Sequence, residues 1–334
     1  MFDQAPRHWY AVCRSDEVRR APVACVLLGE PLVLFRDLEN RIGAVLDRCP
    51  HRNAPLSQGR VEGGRLVCPY HGWEFDRAGQ CQAVPGLCDD GQRRYGSVHS
   101  YPSAEQDGLV WVYSDEIALG SPPQIDLLQK PGYVSLMHDF TVEADLVDAV
   151  ENFLDATHTH FVHAGLVRTQ GKRRPVRAIV RHGTDCVEAE YLEESQSGLI
   201  ARLFGVGITR SIGRFALPST AQLEYWAGER LKLLITLYFT PQSPSAQRVF
   251  AVAAANPSPF PFWLVRLPFA WMLKRVVRQD QRILALQSAN LRRFGGPRYA
   301  STELDILRPH ILRLLDKSRP LPDDMTEKQV TLML

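Results

Sequence analysis

Four residues of metal-binding type constrain this 334-residue sequence more than any other feature. Cys49 and His51 form a C-x-H motif, and after a gap of 16 residues Cys68 and His71 form a C-x-x-H motif. Two thiolates and two imidazoles can build a Cys₂His₂ zinc site, or a two-iron cluster with both cysteines on one iron and both histidines on the other. Each motif supplies one residue of each kind, so two facing loops suit the cluster. Zinc modules more often combine C-x₂₋₄-C with H-x₃₋₅-H, which is absent here, so the pattern favours the cluster.

The residues around these motifs predict a small β domain. Short apolar runs are separated by charged or Gly/Pro-containing segments at Trp9–Arg14, Val23–Leu28, Pro31–Arg36, Ile42–Asp47 and Leu109–Tyr113. A stretch rich in proline and glycine follows, without a clear period. The sequence therefore predicts a cluster domain over residues 1–115, a linker over 116–132 and a second domain over 133–334.

The second domain mixes helical and strand patterns. Helix-like spacing is found over Ala144–Ala164 and Trp271–Phe294. Between them lie apolar runs typical of strands, at Cys186–Leu192, Leu199–Phe204, Ala221–Trp226, Leu231–Thr240 and Arg248–Ala254. Helices at both ends of a run of strands indicate an α+β fold, in which helices grip an antiparallel sheet, rather than alternating βαβ units.

A second set of candidate metal ligands lies in the first of these helical segments. On an ideal helix Glu151, Asp155 and His158 share one face, but His163 lies about 140° further round. Both histidines can reach one metal if the helix unwinds or bulges between residues 159 and 162. Two imidazoles and one carboxylate form the facial triad of non-haem Fe(II) sites, which leaves positions open for other ligands.

Asp280 is the best candidate for the carboxylate of such a triad. It lies on the apolar stripe of the late helix, and a carboxylate buried there needs a metal, a cation or a proton. An ion pair with Arg278 or another nearby arginine is the alternative. Glu303 and Asp305 are weaker candidates because they lie on a predicted surface stretch.

The cluster segment resembles that of the Rieske non-haem iron oxygenases. The resemblance rests on CPHRNAPLSQGRVEGGRLVCPYHGWEFDRAGQC and extends over about residues 8–113. It implies a [2Fe–2S] cluster held by Cys49, His51, Cys68 and His71. Respiratory-type Rieske proteins carry one more cysteine in each loop. Here Tyr70 stands in one of those places and the other loop has no second cysteine, which favours the oxygenase and ferredoxin branch.

The resemblance returns at the iron motif of the oxygenases. N-x-x-D-x-x-H-x-x-x-x-H runs from Asn152 through Asp155 and His158 to His163, and implies His158 and His163 as iron ligands. His160 does not fit the motif, although on the sequence alone it could exchange roles with His158. The segment QDQRILALQ is similar to the helix that carries the third ligand, here Asp280.

Asp155 and Asn152 are the expected catalytic residues outside the ligand set. The Asp155 carboxylate is placed to accept the outer N–H of His158. By resemblance, it also bridges to a cluster histidine, His71, of the neighbouring subunit in a head-to-tail homotrimer.

The resemblance implies the terminal oxygenase component of a Rieske system. A reductase would draw electrons from NAD(P)H, directly or through a ferredoxin, and O₂ would be activated at Fe(II) beside a small apolar organic substrate. The length resembles monooxygenases and demethylases, which hydroxylate or oxidatively demethylate, although cis-dihydroxylation stays open. A pure electron carrier and a hydrophobe-binding module are the alternatives from other classes.

Charge and hydropathy set the remaining expectations. A formal net charge of +2 gives no global field for nucleic acid. The most apolar run, Phe260–Leu273, has 14 residues and contains Arg266, too short for a membrane span, although it could lie on a membrane surface. Seven cysteines and an N-terminus without a signal-peptide pattern favour the reducing cytoplasm.

Overall fold

The computed structural model describes residues 5–87, 96–167, 173–192, 208–256, 262–318 and 327–334. The chain divides into two compact units, the first comprising Met1–Ile125 with Thr240–Ser243, and the second Asp126–Phe239 with Pro244–Leu334. The boundaries drawn from the sequence at residues 115 and 133 stay predictions.

The strands described in the first unit form three small sheets. Their strand orders are β1-β11-β10, β2-β3-β4-β9 and β5-β6-β7-β8. The strands are β1 (Trp9–Arg14), β2 (Val23–Leu27), β3 (Glu30–Arg36), β4 (Ile42–Leu46), β5 (Arg60–Glu62), β6 (Arg65–Val67), β7 (Glu74–Phe75), β8 (Cys81–Ala83), β9 (Ser100–Tyr101), β10 (Ser103–Gln106) and β11 (Leu109–Tyr113). The five strands predicted here are confirmed, with ends that agree to within one residue.

Strand β3 separates two hydrophobic cores in this unit. Its side chains alternate, so that Leu32 and Leu34 pack into one core while Val33 and Phe35 pack into the other. The second core also contains Cys49 and Cys68. The cluster motifs therefore begin at buried positions anchored by the sheet.

In the described residues, the second unit is an eight-stranded sheet with three helices. Its order is β12-β18-β17-β16-β15-β14-β13-β19. The strands are β12 (Val134–Val142), β13 (Pro175–His182), β14 (Cys186–Leu192), β15 (Arg210–Ala216), β16 (Thr220–Ala227), β17 (Arg230–Ser243), β18 (Ala246–Ala255) and β19 (Glu327–Met333), and the helices are α1 (Leu146–Leu154), α2 (Phe262–Arg293) and α3 (Arg308–Leu315). The α+β prediction is confirmed. The strand predicted at Leu199–Phe204 lies outside the described residues.

The helices pack on this sheet and on one another. Helix α1 contacts β15, β16 and both other helices, α2 contacts β12, and α3 contacts β14. The helical pattern over Ala144–Ala164 is confirmed only in its first part. The helix ends at Leu154, before the break expected between residues 159 and 162, and a separate 3-10 turn, His158–His160, follows. None of the described helices contains a stretch apolar enough to cross a bilayer.

Candidate functional site

The two cluster motifs adopt the same backbone conformation. In the first loop, the Cys49 N–H donates to the Ala54 carbonyl at 2.9 Å and the Asn53 N–H donates back to Cys49 at 2.9 Å. The second loop repeats this pattern from Cys68, with distances of 2.8 Å to the Trp73 carbonyl and 3.1 Å from the Gly72 N–H. Asn53 and Gly72 take the left-handed conformation at φ 60° and 71°, which asparagine and glycine tolerate best.

The side chains of these loops separate by type. Cys49 and Cys68 are buried, whereas His51 and His71 are exposed and their rings lie 4.6 Å apart. Burial raises the pKa of the Cys49 thiol to about 11, with the Cys68 side chain in hydrogen-bonding reach, while the N–H groups of His51 and Arg52 point at the Cys49 sulfur. The two thiols are thus buried, and the two imidazoles next to them are exposed to solvent.

This arrangement fits two metals better than one. Donors around a single tetrahedral zinc bind at about 2.0–2.3 Å and so lie within roughly 4 Å of one another. Among the described residues, one set of three or more His, Cys, Asp or Glu side chains has donor atoms that all lie within 4.8 Å of one another. This set is His158, His163 and Asp280. The four loop residues do not meet this condition, and two separate pairs suit a cluster with Cys₂ and His₂ ends.

His158, His163 and Asp280 converge in the second unit. The Asp280 Oδ1 lies 3.0 Å from His163 Nε2 and 3.6 Å from His158 Nε2. Two donors bound at about 2.1 Å and at right angles lie about 3 Å apart, so the spacing fits one octahedral metal. His158 Nε2 is buried and has no hydrogen-bond partner among the described residues. An ordinary ion pair would not leave this nitrogen unsatisfied.

Asp155 ends helix α1 and positions His158. Its carboxylate accepts hydrogen bonds from the Thr157 N–H and hydroxyl, both at 2.7 Å, and from the His158 N–H at 3.1 Å. The outer nitrogen of His158, Nδ1, lies 2.7 Å from the Asp155 backbone carbonyl and 3.7 Å from its carboxylate. The predicted carboxylate contact is therefore replaced by a carbonyl contact, because the carboxylate is occupied by backbone donors.

Two amides complete the surroundings of the three residues. Asn152 Nδ2 donates to Asp280 Oδ1 at 3.0 Å, across from α1 to α2. Gln279 Oε1 lies 2.9 Å from Nδ1 of His163 and holds its ring with Nε2 toward Asp280. Gln279 was not predicted from the sequence. Its position next to Asp280 was the one feature that could have indicated a role at this site.

The electrostatics of this group favour a cation. Burial would raise the pKa of the Asp280 carboxyl, but the imidazoles of His158 and His163 outweigh it and lower the pKa to about 2. Burial would likewise lower the pKa of His158, but the carboxylates of Asp155 and Asp280 raise it to about 9. A proton and a divalent metal compete for such a site, since metal binding displaces the proton.

The other candidate residues lie elsewhere. His160 is buried but outside the convergent set, Glu303 is exposed, and the Asp305 carboxylate accepts the Thr302 N–H at 2.6 Å. Glu151 makes a short ion pair with Arg308. Among the described residues, the ion-pair partners of Asp280 are the two histidines.

A polar cavity of about 230 Å³ lies beside residues that contact this group. Its lining includes Asn152 and Asp155 together with Asp148, Tyr299 and Arg308. Arg308 Nη1 binds the Asp148 carboxylate at 2.9 Å, and the Tyr299 hydroxyl donates to the same carboxylate at 2.6 Å. These contacts connect α1 to Tyr299 and Arg308 through the Asp148 carboxylate.

Two family profiles match the sequence. Residues 8–102 match the Rieske [2Fe–2S] domain. Residues 142–319, more than half of the chain, match the vanillate O-demethylase oxygenase C-terminal domain. The first match contains both cluster motifs, and the second contains the three convergent residues.

Similar proteins include characterised oxygenases. The chain is 34% identical over 176 residues to the oxygenase component of dicamba O-demethylase from Stenotrophomonas maltophilia, a match that covers 52% of this chain and about half (51%) of that protein's length. It is 31% identical over 292 residues to 4β-methylsterol monooxygenase of Methylococcus capsulatus, covering 80% and 75% of the two chains. The crystal structure of dicamba monooxygenase bound to dicamba superposes with a TM-score of 0.80 at 25% identity, covering 93% of this chain and 96% of that one.

Proposed function

The chain belongs to the Rieske non-haem iron oxygenases, and we propose that it is the terminal oxygenase component of such a system. The observation that carries the proposal is the convergence of His158, His163 and Asp280 in the same chain as a Rieske [2Fe–2S] domain. An electron carrier needs no such second set. A hydrophobe-binding module needs neither set.

We propose one role for each set of ligands. Cys49, His51, Cys68 and His71 hold the cluster, and His158, His163 and Asp280 hold Fe(II). Iron bound in this way, with electrons from the cluster, supplies the activation of O₂. The proposed domains are the cluster domain over 1–115, the linker over 116–132 and the iron domain over 133–334. The proposed location is the reducing cytoplasm, and no disulfide joins the six described cysteines.

The surrounding residues orient the iron ligands. Gln279 and the Asp155 carbonyl accept the outer N–H groups of His163 and His158, so each imidazole presents its Nε2 lone pair to the metal. The Asn152 amide binds one oxygen of Asp280 and keeps that carboxylate from rotating. Both acceptors are neutral and add no negative charge to the imidazoles. Asp280 is therefore the one anionic group among the three ligands.

Electrons are proposed to come from a reductase that uses NAD(P)H, directly or through a ferredoxin. The names of relatives as oxygenase components support a separate donor. We further propose a head-to-tail homotrimer in which Asp155 bridges to His71 of the neighbouring subunit, because His71 is exposed and Asp155 lines an open cavity.

The proposed reaction is hydroxylation or oxidative demethylation of a small apolar or aromatic molecule. Relatives act on dicamba, vanillate and a 4β-methylsterol, and each of these names denotes attack on a methyl-bearing compound or a demethylation. A 3-chlorobenzoate 3,4-dioxygenase, 34% identical over 47% of this chain, keeps ring cis-dihydroxylation as the second candidate.

Metal analysis and single turnover test the proposed function. The chain reconstituted anaerobically should hold three irons, two of them with the electron resonance signal of a reduced Rieske cluster. The pre-reduced protein should then convert one of dicamba, vanillate or a 4β-methylsterol when O₂ is added without NAD(P)H. Two irons per chain would indicate a carrier, and none a binding module.

Replacing one cluster histidine should change the cluster's potential rather than its presence. We expect His71→Cys to keep two irons in the cluster but lower its reduction potential by roughly several hundred mV, because thiolate donates more negative charge than imidazole. Redox titration followed by electron resonance measures the shift. Stoichiometric zinc without cluster absorbance in the unaltered chain would contradict the cluster assignment.

Removing the acceptor beside His163 should weaken metal binding. We expect Gln279→Leu to lower the affinity for Fe(II) or Co(II) about 10–100-fold, because His163 loses the partner that fixes its tautomer and ring orientation. Metal titration of the metal-depleted iron site measures this effect. The matched control is Gln281→Leu on the same helix, whose amide binds the Thr141 carbonyl at 2.8 Å. Equal affinities in the two variants would contradict the role of Gln279.

A further inference from the structure

Helix α2 carries an unusual concentration of positive charge. Its 32 residues contain seven Lys or Arg side chains and one acidic residue, Asp280. The whole chain has a net charge of +2, so the rest of the sequence is net negative. A local basic surface of this kind attracts anionic partners over about a Debye length.

Much of this charge lies on one exposed stripe that begins with two apolar side chains. At 3.6 residues per turn, six exposed side chains lie within an arc of about 100°. They are Leu267, Trp271, Lys274, Arg275, Arg278 and Arg282, here called the exposed stripe. Leu267 is 77% exposed and Trp271 57% exposed, whereas Phe269 and Met272 on the opposite side are 2% and 0% exposed.

The exposed stripe has the composition of a membrane-surface helix. Its apolar end could enter the headgroup region while the four cations contact lipid phosphates. The Arg275 guanidinium lies 5.9 Å from the centroid of the Trp271 ring, which keeps a cation beside the indole that would enter the interface. The helix itself is too polar to span.

We propose that the exposed stripe docks this protein on the surface of an anionic bilayer. An acidic protein partner would account for the cations, but it would not explain Leu267 and Trp271, large apolar groups left in water one helical turn apart. A bilayer surface accounts for both halves. Such docking would place the enzyme where apolar substrates accumulate, and this last point alone rests on the proposed function.

Vesicle binding tests the proposal without any turnover. The reconstituted chain is sedimented with phosphatidylcholine vesicles containing or lacking one quarter phosphatidylglycerol, at low and high salt. We expect binding to the anionic vesicles that falls at least about tenfold when phosphatidylglycerol is omitted or salt is raised. The double variant Leu267→Glu/Trp271→Glu should lose at least about tenfold in binding.

The controls separate docking from its alternatives. Leu38→Glu changes an equally exposed leucine, 81% exposed, and should bind vesicles like the unaltered chain. Cluster absorbance and turnover with a soluble substrate should be unchanged in the double variant. No binding to anionic vesicles, or unchanged binding of the double variant, would overturn the proposal. A double variant that changed the subunit number or the rate of reduction by an acidic donor would also overturn it, since the stripe would then be a protein interface.

Discussion

Asp280→Ala is expected to remove the mononuclear iron and leave the cluster intact. The three proposed ligands lie together in the second unit, and Asp280 is the one anionic donor among them. Without it, two neutral imidazoles must hold a divalent cation, which costs several kcal/mol, and turnover should fall by about 10³-fold or more. Iron analysis should give two irons per chain, with an unchanged electron resonance signal from the reduced cluster.

Two further variants make this result specific. Glu303→Ala changes an exposed carboxylate outside the convergent set and should keep three irons and full activity. Asp280→Asn keeps the shape and an oxygen for the Asn152 amide, so a loss of iron in this variant isolates the charge from the packing. Full activity with three irons in Asp280→Ala would reduce Asp280 to an ion-pair partner of the histidines.

Asp155→Asn is expected to keep both metal centres but to slow electron transfer between them. The amide oxygen can still accept the Thr157 N–H, so the turn that presents His158 should persist. The variant loses the negative charge proposed to bridge to the neighbouring His71. We expect three irons and a reducible cluster, but a turnover reduced about 100-fold or more.

Single-turnover kinetics provide the decisive measurement for Asp155. The pre-reduced cluster of the variant should stay reduced after substrate and O₂ are mixed in, whereas the unaltered cluster should oxidise rapidly. Asp305→Asn is the matched control, because its carboxylate also accepts a nearby backbone N–H and lines the same cavity. Rapid oxidation with normal product formation in Asp155→Asn would disprove the bridge.

The local features of both sites could be predicted from the sequence. Each cluster loop is defined by a few successive residues and closed by its own backbone hydrogen bonds, so spacing carries the information. Asp280 stood out because a carboxylate on an apolar helical stripe needs a partner. The strands β14 and β16 to β18 could also be predicted, because most of their side chains are buried or half-buried and the sequence there is rich in apolar residues.

The features that sequence reasoning missed depend on distant or competing contacts. Helix α1 stops early because the Asp155 carboxylate binds the backbone of Thr157 and His158, a competition that periodicity does not register. Gln279 contacts a histidine that lies 116 residues away in the sequence, so no local pattern reveals the pair. Strand β13 was not predicted because charged residues interrupt its apolar pattern, although Val176, Ala178 and Val180 are buried.

The spacing of the two proposed ligand sets along the chain has a consequence for the order in which the metals can be loaded during synthesis. The proposed cluster ligands fall within residues 49–71, whereas the proposed iron ligands extend from 158 to 280. A ribosome that adds about 5–20 residues per second makes Asp280 roughly 6–23 s after His163. The nascent chain can therefore acquire its cluster well before the proposed iron site is complete.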